Sequence, residues 1–531
     1  MKFLRFAKMR TTNLTEKSSN RNSVAIEKKS DITVQNNESS NFLLIEQSGM
    51  LDAEFYLKQR KLKFSGREAI RDYLSVGESQ GFMPSRYFDP VYYRAQNPDV
   101  VASGMNLFLH YVMHGAREGR AGTPFPGILK ELEKAIDPDR ESIVLVVHET
   151  SRSGAPILGW NIVAELKREF QYNVVVISLQ GGGQIERAFR SEANLLISPI
   201  GDNRMSQADI DWICRILKIT INPKYAIANS AATFSIAVAL SRLKIDVISL
   251  VHEFSSVFGS ELILAELFSE SRAIVFPAKI VRDSAVALYP SLPLERTIIL
   301  PQGRSLVPAS LAEPSAKVSN ALATSSDILN WATTKSCFTI VGMGTVEWRK
   351  GVDLFVSAAV SFLSRFPGVS CRFVWIGAQT AHVQRQEMMM FLREQLARSQ
   401  VADAVILLPE TSDINRIYDC ADALFVSSRL DPLPNVAIDA LSLGIPVVSF
   451  DRATGVAELL QDDSELSALV VPYADAYAAA TILHKLATNL EWYQAVCSRA
   501  QSLALDLFNM NRYVIALNEI GKTFIKETEI T

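Results

Sequence analysis

Two aspartates eight residues apart, Asp431 and Asp439, lie in the segment SSRLDPLPNVAIDALSLGIPVVSFDRATGVAELL, residues 427–460. Asp431 falls in a Pro-punctuated loop and Asp439 on the first turns of the helix expected to follow. Carboxylates accept strongly from sugar or ribose hydroxyls, which is the obvious chemical use of both. The backbone N–H groups of Leu433, Asn435 and Val436, near that helix start, suit an anionic or hydroxyl-rich ligand. The same spacing also suits a turn cap followed by a helix-face acid. A second loop, TSRSGAP from Thr150 to Pro156, follows a hydrophobic run and precedes a helix. Within it Ser153, Gly154 and Ala155 are small, and Gly154 permits close backbone approach to a ligand. A tight strand-to-helix turn with no ligand is the alternative. His252 ends the run VISLV, and His148 ends IVLVV. A lone histidine at a strand end is usually structural, but at a carboxyl end facing a cleft it gains weight as a site residue, His252 more than His148.

These residues need elements to hold them. From Glu141 onward, short β-branched runs alternate with longer amphipathic stretches. The runs are 143–148, 173–179, 225–230, 246–252, 273–277 and 297–301, then 338–344, 371–377, 404–409, 423–427 and 446–450. Runs without polar alternation are what strands buried on both faces look like, and alternation with helices implies right-handed βαβ units. Residues 306–336, rich in Ala, Ser and Pro, interrupt the pattern and read as a linker or surface excursion. The expectation is an α/β chain with two Rossmann-like domains facing a cleft, at 140–305 and 337–505, and a C-terminal helix over 506–531. Ligands in such sheets bind outside the carboxyl ends of the strands.

Residues 48–126 differ. Asp52 aligns with Asp89 and Tyr56 with Tyr93 at an offset of 37; Tyr73 with Tyr111, Gly77 with Gly115 and Gly81 with Gly119 at an offset of 38. That period predicts a small helical unit used twice, with an aromatic core and glycines ending the helices at C′ positions. His110 and His114 are spaced i,i+4, but no third metal ligand accompanies them.

With these motifs in order, the chain resembles the family 4 glycosyltransferases, retaining enzymes of the GT-B fold. The resemblance rests on the acid, seven residues, acid pattern of Asp431–Asp439, on GIPVV at 444–448, on GVAE at 455–458 and on GTVEWRKGVD at 344–353. It spans roughly residues 140–510. It implies that Asp439 holds the nucleotide ribose, that Asp431 contacts the transferred sugar, and that Arg349 and Lys350 neutralise the donor diphosphate. It matches His252 to a histidine near that sugar, and residues 150–156 to a small-residue loop near the acceptor and the donor phosphates. The second acid of the pattern is ordinarily Glu; Asp439 is one methylene shorter. The implied activity is transfer of a sugar from a nucleotide-sugar donor to a hydroxyl of a glycan, lipid-linked glycan or protein, in bacterial surface polysaccharide or glycoconjugate synthesis. Two rivals share the site: a nucleotide-sugar isomerase, and a catalytically silent scaffold of a glycan assembly complex.

Asp137-Pro-Asp139 and Asp209-Ile-Asp211 have the acid-x-acid spacing of metal-dependent transferases, yet neither ends a hydrophobic run, and both read as turn or helix-start acids. No metal or other cofactor is expected. Gly181-Gly182-Gly183 lacks dinucleotide-loop spacing and reads as a flexible loop. With 54 Lys and Arg against 57 Asp and Glu, the net charge is −3, which leaves no overall basic field for nucleic acid. No apolar stretch reaches 18 residues, so no spanning helix is expected. The five cysteines are scattered with no CxxC pair, which fits a reducing compartment. Residues 1–47 read as a disordered polar tail with a basic start lacking the apolar core of a secretory signal. A solvated leader is favoured over contact with an anionic membrane. The setting is cytoplasmic, with the inner face of the membrane as the alternative. The Tyr, Phe and Arg of 51–126 suit docking to the acceptor, another protein or a second protomer, or a cap on the α/β core.

Overall fold

The computed structural model describes residues 40–125, 127–258, 261–308, 337–378, 383–411 and 414–528. The chain divides into two units, Met1–Gly127 and Ile128–Thr531. Of the expected tail, residues 1–39 lie outside the described residues, as do 309–336 of the expected linker. Residues 40–48 correct the tail expectation, because they form a helix whose Phe42 and Ile45 are buried in the first unit's core. Two apolar residues one turn apart suffice for that helix once a core exists to receive them.

Within the first unit, the aligned pairs of the repeat have matched roles. Asp52 and Asp89 each cap a helix, Asp52 accepting from Phe55 N–H at 3.0 Å and Asp89 from Val91 and Tyr92 N–H at 2.8 and 3.0 Å. Tyr56 and Tyr93 are fully buried. Tyr73 and Tyr111 each open a one-turn π-helix, Tyr73–Gly77 and Tyr111–Gly115. Gly77 and Gly115 are not helix-ending C′ glycines as expected. A Cβ at either would overlap the hydroxyl of Tyr56 or Tyr93 respectively, so each is a glycine because a tyrosine occupies its side-chain space. The repeats are also joined directly: buried Glu78, from the first, accepts from Leu107 and Phe108 N–H at the start of a helix in the second, at 2.8 and 2.9 Å. His110 Nδ1 bonds the Tyr93 hydroxyl at 3.0 Å.

The second unit holds two wholly parallel sheets. The first comprises β1 (Ser142–Val147), β2 (Asn173–Ser178), β3 (Leu195–Ile197), β4 (Ala226–Ala228), β5 (Val247–Leu250), β6 (Ala273–Phe276) and β7 (Thr297–Ile299), in the order β3-β2-β1-β4-β5-β6-β7. The second comprises β8 (Phe338–Met343), β9 (Cys371–Ile376), β10 (Val405–Leu408), β11 (Ala423–Val426), β12 (Val447–Phe450) and β13 (Val470–Val471), in the order β10-β9-β8-β11-β12-β13. Strand order therefore reverses between β1 and β4, and between β8 and β11. Those are the points where a doubly wound sheet opens a crevice at its carboxyl edge. Only β3 and β13, an edge strand of three residues and one of two, lack a run long enough to be read from sequence.

Seven helices matter for the site: α1 (Gly154–Phe170), α2 (Lys279–Leu288), α3 (Val352–Arg365), α4 (Asn435–Ser442), α5 (Gly455–Gln461), α6 (Leu490–Leu507) and α7 (Met510–Thr528). The expected C-terminal helix over 506–531 is divided: 506–507 end α6, and α7 begins at Met510. Helix α7 packs on the first sheet domain rather than the second. Its Tyr513, Val514 and Leu517 are buried among Tyr172, Tyr225 and the β1 residues, and Asn518 Oδ1 accepts from the hydroxyls of Tyr172 and Tyr225 at 3.1 and 2.8 Å. The amphipathic pattern of a helix reveals that it has an apolar face, not which core receives that face. Among the described residues, no helix is long and apolar enough to cross a membrane.

Candidate donor and acceptor site

The loop after β8 closes with a single 3₁₀ turn, Trp348–Lys350, and Gly351 at φ 67° passes the chain into α3. A Cβ at Gly351 would overlap the Ser427 carbonyl, so this left-handed position next to the β11 loop requires glycine. The loop is braced from that side by Arg429. Its guanidinium pairs with both oxygens of Asp353 at 2.9 and 2.6 Å, donates to the Trp348 carbonyl at 2.9 Å, and lies 3.7 Å from the centroid of the Trp348 ring. The two residues before Gly351, Arg349 and Lys350, are thereby held beside Asp431.

Asp431 is 6% exposed. Lys350 Nζ donates to its Oδ2 at 2.6 Å, Ser428 Oγ to the same oxygen at 3.3 Å, and Arg349 to Oδ1 at 3.4 Å. The Asp431 N–H donates to the Ala453 carbonyl at 2.9 Å, tying the loop to the turn that precedes α5. Gly455 permits that packing, since a Cβ there would overlap the Pro432 carbonyl, and it also lets Ala278 of the first sheet domain approach. Arg349, Lys350 and Asp431 thus converge at the carboxyl edge where β8 and β11 part. A small cavity there is lined by Met343, Lys350, Trp375, Ser428, Asp431 and Val436.

Helix α4 begins at Asn435, one residue after Pro434, with no side-chain cap. Leu433 is buried before it, and Val436 in its first turn is partly buried and carries the carbonyl that accepts from the Tyr418 hydroxyl at 3.4 Å. Asp439 lies one turn on. Burial pushes its carboxyl up from the usual range, while Arg304, 2.9 Å from Oδ1, opposes that shift. The sequence did not signal Arg304 or its neighbour Gln302, whose amide donates to Asn435 Oδ1 at 2.5 Å. Both partners are over 130 residues away in the chain, beyond any local spacing rule.

Across the cleft, Ser153 precedes α1 and receives a hydrogen bond from Ser151 Oγ at 2.9 Å. Gly154 faces Asn435: a Cβ there would lie 3.1 Å from the Asn435 side-chain nitrogen. The Ala155 carbonyl accepts from Asn229 Nδ2 at 2.6 Å, and Asn229 Oδ1 in turn meets His252 Nε2 at 3.2 Å. The N-termini of α1 and α4 therefore oppose one another, each at the reversal point of its own sheet. Burial holds the His252 imidazole below its ordinary pKa, and its Nδ1 has no hydrogen-bond partner among the described residues. His148 is near enough to act on that imidazole electrostatically and approaches Glu149 at 3.6 Å. Glu458 joins the two domains directly by accepting from the Lys279 N–H at the start of α2, 3.0 Å away.

The remaining acids have structural places. Asp209 forms a capping box with Ser206, and Asp137 accepts from Asp139 N–H in a turn at 3.0 Å. Gly181–Gly183 do not form the open, flexible loop expected. A Cβ at Gly181 would overlap the Pro199 carbonyl, and one at Gly183 the backbone of Thr150, so these are close-packing glycines. Among the described residues, no three His, Cys, Asp or Glu side chains converge as a metal site.

Residues 337–489 match the family described as Glycosyl transferases group 1. A D-inositol 3-phosphate glycosyltransferase of Saccharomonospora viridis is 26% identical over 280 residues, which is 50% of this chain and 57% of that protein. The lipopolysaccharide core biosynthesis mannosyltransferase LpsB of Rhizobium meliloti is 28% identical over 135 residues, 25% of this chain and 36% of that protein. The chain thus spans about a third to a little over half the length of these curated relatives. Anabaena HepE, solved in complex with UDP, superposes with a TM-score of 0.56 at 15% identity, covering 74% of this chain and all of that one. The second unit has the GT-B architecture, two Rossmann-like domains facing a cleft, and its C-terminal domain is similar to the glycosyl transferases of group 1.

Proposed function

We propose that this chain is a glycosyltransferase that moves a sugar from a nucleotide-sugar donor to a hydroxyl, with retention at the anomeric carbon. The observation that carries the reading is the convergence of Arg349, Lys350 and Asp431 where β8 and β11 part, inside the region that matches group 1. The donor's C1–O bond to the diphosphate breaks and leaves negative charge on the departing phosphate. Two fixed cations beside the start of a helix stabilise that charge as it develops. Lys350 is shared between Asp431 and the incoming diphosphate, so Asp431 is left to accept from a hydroxyl of the transferred sugar. Asp439 meets the ribose. The acceptor hydroxyl enters from the side of Ser153–Ala155 and His252, forms the new bond to C1 on the face the diphosphate leaves, and passes its proton to the departing diphosphate oxygen. Closure of the two domains excludes water, which would otherwise take the sugar.

The donor class is supported by the UDP held in HepE, and a role in polysaccharide or glycoconjugate assembly by the name of LpsB. The repeat unit at 51–126 then serves to dock the acceptor, a protein partner or a second copy. The direct experiment incubates the purified chain with UDP-, GDP- and ADP-sugars and follows release of the nucleoside diphosphate with and without glycan acceptors. Turnover that rises with an acceptor supports transfer. Interconversion of the donor without release would instead indicate an isomerase, and neither binding nor release of any donor a scaffold.

A further inference from the structure

The strap that carries the chain out of the first sheet domain, residues 301–306, is fastened at both sides. Gln302 holds Asn435 at 2.5 Å and Arg304 holds Asp439 at 2.9 Å, both on α4. The Arg304 N–H donates to the Phe508 carbonyl at 2.7 Å, where the chain returns from α6 to α7. Leu306 exchanges two hydrogen bonds with the Asn161 side chain of α1, at 2.8 and 3.0 Å. The strap is therefore tied to three elements, with the Arg304 backbone itself held at Phe508, and the guanidinium is presented from that fastened base. We propose that Arg304 is a positioning residue for donor recognition: it holds one oxygen of Asp439 so that the carboxylate meets the ribose hydroxyls of the nucleotide in a set direction.

Two observations favour this over a chance ion pair. Asp439 is mostly buried, and Arg304 is the cation that counters its desolvation. An aspartate is also shorter than the glutamate of the acid-x₇-acid pattern, so its direction matters more, and the Arg304 Nε–H gives one of its oxygens a directional partner that a freely rotating ammonium would not. Arg304 Nε takes Oδ1, and Tyr418 also faces the carboxylate. A carboxylate has about four lone-pair sites, so capacity for a hydroxyl remains.

The proposal rests on the donor-site reading above. Calorimetric titrations of the full chain with UDP, GDP and ADP, each alongside its 2′-deoxy form, test both. The wild type is expected to prefer the ribo form about tenfold or more. Arg304→Met is expected to bind the ribo form at least tenfold more weakly and to lose the preference, with Arg304→Lys intermediate. The double variant Arg304→Met/Asp439→Asn should bind no worse than Asp439→Asn alone, because the arginine acts through the acid. Thermal melting confirms that each variant is folded, and Arg304→Lys suffices for the preference test if Arg304→Met does not fold. A preference unchanged in the variants overturns the proposal and leaves the donor site standing. Tighter binding by Arg304→Met also overturns it, since Arg304 would then be competing with the ribose. A wild type that binds none of the nucleotides overturns the donor site itself.

Discussion

The two strand-end clusters that face each other across the cleft are built by different physics. On the second sheet, Arg349, Lys350 and Asp431 form an ionic cluster, and the loop beneath it is clamped by a further ion pair, Arg429–Asp353. On the first sheet, His252, Asn229 and the Ala155 carbonyl form a chain of hydrogen bonds in which burial favours neutral imidazole. A charged cluster can exchange one anion for another at modest cost, because the cations keep a partner throughout. A neutral chain is directional and holds a shape without committing charge. The difference suits a diphosphate on one side and a hydroxyl on the other.

Removing Lys350 should break this contrast most severely. Lys350→Ala should lower kcat/KM by about 10³-fold, roughly the ~4 kcal/mol upper value for a lost transition-state donor. Nucleoside diphosphate should bind more weakly by about 1.5–3 kcal/mol, the range for a charge-assisted bond. Titration with free nucleotide and steady-state kinetics measure the two, and equal affinity in wild type and variant would remove Lys350 from the site.

Next in size is Asp431→Asn, expected to lower kcat/KM about 10²-fold, or ~2.7 kcal/mol. Binding of free nucleotide should hold or improve, because Lys350 loses its internal competitor. A variant that turns over normally would place the sugar elsewhere.

On the neutral side, Asn229→Ala deletes two hydrogen bonds at a residue 1% exposed and removes the Asn229 partner of His252 Nε2. Denaturant unfolding should lose about 1–2 kcal/mol, while nucleotide affinity stays within twofold. Loss of nucleotide binding would show that the two clusters are coupled rather than independent.

The smallest effect concerns pH. The folded-state pKa of His252 is lowered by burial from 6.5, so the unfolded chain binds its proton first. This contribution is absent above pH 6.5 and destabilises the fold progressively as pH falls from there through the lowered value. His252→Gln should flatten the wild type's loss of melting temperature across that window. Parallel profiles would mean that another group governs acid sensitivity.

Much of this was legible in the chain. The eleven strands read from apolar runs are present: the inner ones are covered on both faces and must be continuously hydrophobic, which leaves a local trace, while the edge strands β7 and β10 are apolar but only partly buried. The repeat was legible too, although the reason for Gly77 and Gly115 was not: the tyrosine hydroxyls that fill their side-chain space come from another helix. Asp431, Lys350, Asn435, Gly154 and His252 all sit at strand ends or helix starts, positions that local sequence marks by itself.

What the sequence by itself determined is therefore the set of elements and the residues at their ends, since those follow from interactions among residues a few positions apart. The tertiary structure alone decided which ends meet. It set Gly154 against Asn435, Glu458 on the start of α2, Arg304 on Asp439, and α7 on the first sheet domain instead of the second. Such pairings join residues more than a hundred positions apart. They depend on which apolar faces bury one another, and a hydrophobic face carries no address for its partner.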